Sequence, residues 1–326
     1  SILADETFLS QQKTILLITD DKEDSHYTTT EMEELVGEEN VLHLPNSYTE
    51  PYQEERTKNA NLVLRTEVIN QLNINNKQKI IVAHISALNE KVLKKEDFKM
   101  ISHRIKTGEK LDFDFTEELL NQFHFNLTDF VSEPGEFAVR GGIVDVFSYS
   151  NEKPFRITFF GNEIESIKTF DIETQLSVEK VDEFQLVSNI NLSTQGEKVP
   201  FFDLLPSDSL IMIKNAYSCL DKMETFYQKA QNQFDKLSKT IKHREPHELF
   251  LSSEEFSKCF QKFRTIDFSN SPSSKIIQLS QTPQPSFHKN FELLIEDLIT
   301  KKEQGYEVWI SFSSEKQKDR LTEIIE

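Results

Sequence analysis

Glycine is scarce in this chain, with eight in 326 residues, and so is cysteine, with two. Two cysteines, Cys219 and Cys259, exclude a disulfide framework and point to a reducing, cytoplasmic setting. No apolar run approaches the length of a membrane-spanning helix and no signal-peptide pattern opens the chain, so no membrane role is expected. Basic charge is also short: 37 Lys and Arg stand against 55 Asp and Glu, a net charge of -18. Sequence-independent binding of duplex DNA requires a cationic face that releases counterions, which this balance disfavours. Ser1 replaces an initiator Met at the start of a helical segment, so we expect further structure upstream.

What glycine there is gathers in one place. Four of the eight fall between Gly135 and Gly161, which marks a tightly turned β-rich module over Val131 to Val178. In Phe155 to Phe160 the period of two places Phe155, Ile157 and Phe159 on a core face and Arg156, Thr158 and Phe160 on the other. Gly161-Asn162 has hairpin chemistry, and apolar residues resume at Ile164 and, three residues on, at Ile167. Upstream, Phe137 and Val139 share one face and Ala138 and Arg140 the other. Gly141-Gly142 then suggests a bulge or bend before Ile143 to Phe147. The faces away from the core thus hold two arginines and an aromatic, a composition favoured in protein-binding hot spots.

Outside this module the pattern is that of an α/β fold. Thr14 to Thr19, Val41 to Pro45 and Lys79 to Ile85 read as buried strands alternating with helices near Ser25 to Leu35 and Leu62 to Leu72. Apolar rather than alternating strands imply a parallel sheet covered on both faces. From Phe98 the period changes, and NINLSTQGEK after Ile190 reads as a linker. Buried-strand patterns return at Ser209 to Lys214, Lys275 to Leu279 and Glu307 to Phe312, joined by helices at Leu220 to Ile241 and Phe291 to Lys301. Ser314 to Gln317 reads as a capping box. The expected organisation is therefore a discontinuous parallel-sheet domain over 1–97 and 191–326, interrupted by a small α+β domain over 98–190.

Metal binding is disfavoured. His243 and His247 are four apart, but Pro246 between them breaks the helical geometry that would pair them on one ion. Cys219 and Cys259 read as buried apolar residues.

The run PGEFAVRGGIVDVF (Pro134 to Phe147), followed by FRITFFGNEIESI (Phe155 to Ile167), Phe170-Asp171 and Thr174-Gln175, resembles the second domain of the bacterial transcription-repair coupling factors (Mfd). It is similar, less closely, to the equivalent domain of the excision-repair helicase UvrB, and a weaker likeness extends over nearly the whole chain. The resemblance implies a degenerate helicase-like domain of the P-loop NTPase type carrying an inserted UvrA-binding domain. It implies that Arg140, Arg156 and Phe160 contact UvrA, the recruiting step of transcription-coupled repair at stalled RNA polymerase. The polymerase-binding and ATP- and Mg²⁺-dependent translocase parts of that family, with their hold on duplex DNA, would lie outside this chain.

Catalysis by the chain itself is not expected. Nothing in the chain matches G-x-x-x-x-G-K-[ST], a loop expected just before Ser1, and within the chain the apolar strand Leu210 to Ile213 leads into Lys214-Asn215 where two carboxylates would hold Mg²⁺. The counterpart of the UvrB damage-gripping hairpin, Asn46 to Glu55, is too short and acidic for stacking on nucleic acid, so Tyr48 and Tyr52 read as loop anchors. For Arg140 and Arg156 a plainer alternative stands beside partner contact: ion pairs with Glu136, Glu163 or Glu165. Three rival functions also stand: an active UvrB-like ATP-dependent helicase subunit, a DNA-binding module, and a regulatory module that restrains its own protein by packing on its C-terminal domains.

Overall fold

The computed structural model describes residues 2–11, 13–47, 50–52, 59–74, 77–190, 196–237, 243–269, 276, 285–287, 290–308, 310 and 315–325. It divides into two compact units, 1–271 and 272–326.

The first unit is built on a five-stranded parallel sheet of β1 (Ile15–Thr19), β2 (Val41–Leu44), β3 (Ile80–His84), β14 (Leu210–Ile213) and β15 (Arg264–Asp267), in the order β15-β14-β1-β3-β2. The central strands β1, β3 and β14 are buried on both faces, which is why they read as unbroken apolar runs. Ile15 and Leu17 of β1, Ile80 and Val82 of β3 and Met212 of β14 pack with Met32 on one side. Leu16, Ile18, Ile81, Ala83, Ile211 and Ile213 join the larger cluster on the other. Helix α1 (Ile2–Gln11) precedes β1, while α2 (Lys22–Val36) and α3 (Asn59–Ile74) connect the early strands. The long α7 (Ala216–Phe234) and the short α8 (Pro246–Leu249) and α9 (Ser253–Phe260) follow β14. Cys219 and Cys259 are buried and unbonded, and burial pushes the Cys219 thiol up to about 12.

The fifth strand is a departure from the sequence reading. Arg264–Asp267 carries one strongly apolar residue, Ile266, and stands at the sheet edge, so it lacks the buried-strand signature. Of the two segments expected to complete the sheet, Lys275 and 277–279 lie outside the described residues, as do Trp309, Ser311 and Phe312. Glu307, Val308 and Ile310 are not in a strand. Tyr48, Ser314 and 238–242 also lie outside the described residues. The second unit carries α10 (Phe291–Glu303), whose N-cap Asn290 accepts from the backbone N–H of Glu292 and Leu293, and α11 (Glu315–Ile325).

Between β3 and β14 the first unit changes character. Helices α4 (Ile85–Asn89) and α5 (Lys95–Met100) flank β4 (Val92–Leu93), which pairs with β13 (Lys198–Val199). Strand β5 (Ser102–Lys106) then pairs antiparallel with β12 (Glu183–Val187), and between them lie α6 (Phe113–Gln122) and a six-stranded sheet. Its strands are β6 (Asn126–Leu127), β7 (Glu136–Arg140), β8 (Ile143–Val146), β9 (Phe155–Phe160), β10 (Glu163–Phe170) and β11 (Ser177–Val181), in sequential order. One face of this sheet packs Phe137, Val144, Ile157 and Ile167 against Leu119 and Leu120 of α6 and Phe184 of β12. The rings of Phe155 and Phe184 stack at 4.1 Å.

Of the bulge or bend expected at Gly141-Gly142, the structure has the bend: the pair is the two-residue turn of the β7–β8 hairpin, with Arg140 paired to Ile143. Gly141 takes a φ of 60°, which the twist of a two-residue hairpin demands. The bulge lies further on, where the β9–β10 register shifts between Ile164 and Ser166. One extra residue there lets Ile164 and Ile167, three apart, both point into the core.

Candidate functional site

The face of the six-stranded sheet turned away from α6 carries the three residues singled out from the sequence. Strand alternation sets them there: Phe155, Ile157 and Phe159 are buried, Arg156 and Thr158 partly exposed, and Phe160 is 80% exposed at the end of β9. A phenyl ring left so open costs hydration free energy that a partner's apolar surface would recover.

Arg156 is held from three sides. Its Nε and Nη2 donate to Oδ1 and Oδ2 of Asp145 at 2.7 and 2.8 Å, and Nη1 donates to the backbone carbonyl of Gln175 at 3.1 Å. Its guanidinium lies 4.8 Å from the centre of the buried Phe170 ring. The hydrogen bonds to Asp145 raise the guanidinium's already high pKa further. Three of its five N–H groups are thereby used, and the planar fork is fixed in orientation.

The loop after β10 supplies one side of this clamp. Asp171 accepts from the Thr174 backbone N–H and hydroxyl, both at 2.8 Å, and these bonds hold its carboxyl below the usual carboxylate range. Gln175, at φ 58°, donates its side-chain amide to the carbonyls of Val131 and Ile172 while its own carbonyl receives Arg156.

Arg140 is looser. Its side chain is 41% exposed, with Nη1 3.9 Å from Oδ2 of Asp145 and Nη2 donating to the carbonyl of Asp129. The guanidinium covers the Phe130 ring at 4.5 Å, and Phe130 itself is 63% exposed. An open cleft of about 530 Å³ beside it is lined by Glu117, Leu127, Thr128, Asp129, Val139 and Arg140.

The arginines pair with Asp145, not with the acids nearest in sequence. Glu136 instead accepts from Ser132 and from the backbone N–H of Glu133. Sequence reasoning passed over Asp145 although a signal existed: it is the ionisable residue in the apolar strand Ile143-Val144-Asp145-Val146, and it is 2% exposed. A buried carboxylate in a strand requires a cation, and register places Arg156 directly opposite.

At the carboxyl edge of the parallel sheet, β1 runs into Asp20 and Asp21. The Asp21 carboxylate caps α2 by accepting from the backbone N–H of Glu23 and Asp24 at 2.8 and 3.1 Å. Lys214 pairs with Asp24, and Asn215 caps α7 by accepting from the Ser218 N–H. Tyr52 is an anchor: its hydroxyl donates to the Arg244 carbonyl at 3.0 Å and its ring packs on Phe234 and Phe250. His247 lies 3.2 Å from Glu245, and no metal-holding cluster occurs among the described residues. No helix among them is long and apolar enough to cross a membrane.

Residues 104–191 match the family model of the UvrB interaction domain. The chain is similar to the transcription-repair-coupling factor of Bacillus subtilis (strain 168), 31% identical over 179 residues, which are 55% of this chain and 15% of that protein. It is 33% identical to the factor of Myxococcus xanthus over 147 residues, 45% of this chain and 12% of the relative. With the factor of Rickettsia prowazekii (strain Madrid E) it shares 35% over 140 residues, 43% of this chain and 12% of the relative. The matched part thus spans 15% or less of these relatives' length.

Proposed function

We propose that this chain is the UvrB-like N-terminal module of a transcription-repair coupling factor and that it recruits UvrA by docking through the open face of its six-stranded sheet. The observation that carries the reading is the placement of the matched domain: residues 104–191 enclose the sheet on which Arg140, Arg156 and Phe160 share one face. Phe160 fills an apolar pocket on UvrA. Arg140 and the free N–H groups of Arg156 form charge-assisted hydrogen bonds to its acidic groups.

In this reading the parallel-sheet domain is a degenerate helicase core that serves as scaffold without ATPase activity. The strand end after β14 supports it, since Lys214 pairs with Asp24 and Asn215 caps α7 where two carboxylates would hold Mg²⁺. Recruitment to stalled RNA polymerase, ATP- and Mg²⁺-driven movement on DNA, and contacts with the protein's own C-terminal domains then belong to regions outside this chain. The setting is the cytoplasm.

Calorimetry of the chain with purified UvrA tests the proposal. Micromolar or tighter binding that is lost in a folded Phe160→Ala variant is the expected result; no binding by the folded wild-type chain would overturn it. Phe160→Ala serves better than Arg156→Ala, because removing the arginine strands the buried Asp145 carboxylate and confounds binding with stability.

A further inference from the structure

The register of the six-stranded sheet aligns Asp145, Arg156, Lys168 and Lys180 on adjacent strands: Asp145 lies opposite Arg156, Arg156 opposite Lys168, and Lys168 opposite Lys180. Directly opposed residues of antiparallel strands point to the same face, and at about 4.8 Å per strand the three cations extend over about 10 Å. The carboxylate in this row is Asp145, and it is spent on Arg156. Lys168 and Lys180 are exposed, and among the described residues no carboxylate lies within ion-pairing distance of either ammonium.

Like charges placed directly opposite each other destabilise a sheet. Here Lys168 faces a cation on each side, in a chain whose net charge is -18, so the row runs against both local pairing and overall composition. Apolar area is exposed on the same strand as Lys180, where Val178 is 62% exposed beside the β10–β11 register shift.

We infer that Lys168 and Lys180 extend the docking site across β10 and β11 and receive an acidic protein surface on UvrA, with Val178 at the margin of the contact. The inference rests on the UvrA reading above. A protein partner is favoured over a nucleic acid because Phe160, 80% exposed, lies on the same face of the sheet as the cations, and because a chain of this net charge repels a polyanion at longer range. Cations at the rim of an interface act mainly on the association rate and its salt dependence.

The experiment is calorimetry and stopped-flow association of UvrA with the wild-type chain, Lys168→Glu/Lys180→Glu, Lys168→Arg/Lys180→Arg and Phe160→Ala, each checked for folding by circular dichroism. Charge reversal is expected to weaken Kd at least about tenfold, chiefly through slower association, and to flatten its salt dependence, while the arginine pair retains wild-type affinity. Wild-type binding by the reversal variant, with Phe160→Ala impaired, overturns the extension and leaves the UvrA reading standing. Absence of wild-type binding overturns both. Binding of duplex DNA by the wild-type chain that the reversal variant loses, with UvrA affinity unchanged, overturns the inference in favour of a nucleic-acid contact.

Discussion

Asp145 and Arg156 meet through two parallel hydrogen bonds of 2.7 and 2.8 Å in the middle of the sheet, the carboxylate almost wholly buried and the guanidinium 18% exposed. The aspartate therefore works below the surface, fixing the direction in which its arginine presents the remaining N–H groups. In Asp145→Asn one acceptor becomes a donor aimed at the guanidinium. Loss of one partner of a buried pair typically costs about 3 kcal/mol. Urea unfolding is expected to show a lower midpoint with unchanged slope; a wild-type midpoint would mean that the clamp contributes no net stability.

Phe160 should behave in the opposite way. At 80% exposure its ring contributes little to the fold, so Phe160→Ala is expected to leave unfolding free energy within about 0.5 kcal/mol of wild type. Its UvrA affinity should fall by about 2 kcal/mol, roughly thirtyfold. Parallel urea titrations and calorimetry separate the two quantities, and a large loss of stability would show that the ring packs within the chain.

Two glycines at positive φ make a matched pair. A Cβ on Gly135, at φ 89°, would stand 2.4 Å from the Tyr149 hydroxyl oxygen and 2.8 Å from its ring carbon, whereas one on Gly141, at φ 60°, would meet nothing within 4 Å. Gly141→Ala should cost about 1 kcal/mol from backbone conformation alone. Gly135→Ala adds displacement of a half-buried tyrosine and is expected to cost at least about twice as much. Thermal unfolding of the two variants orders them, and equal costs would show that Tyr149 moves aside freely.

Acid should unfold the parallel-sheet domain through its histidines. Burial pushes both His43 and His84 down to about 4, with neighbouring His26 adding to the effect on the first and Lys22 on the second. Between about pH 6.5 and pH 4 the unfolded chain binds protons at these positions that the folded chain does not, so stability falls as pH falls through that window. Unfolding midpoints taken from pH 7.5 to 4 are expected to decline, and to decline less steeply in His43→Gln measured against its own value at pH 7.5. An identical slope would exclude His43 as a contributor.

The strands with a clear period were legible in the sequence, and those whose place depends on distant partners were not. The alternation in Phe155 to Phe160 sorted core from open face because every second residue there is apolar. The three-residue step from Ile164 to Ile167 was visible as an irregularity, but only pairing with β9 reveals the extra residue behind it. Arg264–Asp267 gave no strand signal because an edge position asks for little apolar surface. Asp145 was missed for a related reason. Acids near in sequence are the obvious partners for Arg140 and Arg156, whereas the antiparallel pairing of β8 with β9 brings Asp145 directly opposite Arg156.

The pairing of β5 with β12 has a consequence for the history and handling of the inserted segment. Ser102 lies opposite Val187, so the chain leaves its host fold and rejoins it at neighbouring positions in a single strand pair. Opposed residues of an antiparallel pair have Cα atoms about 5 Å apart. To the surrounding domain the whole insertion is therefore equivalent to one long hairpin loop, whose closure is already secured at its base. Changes in the length of chain between Ser102 and Val187 are expected to leave that closure intact.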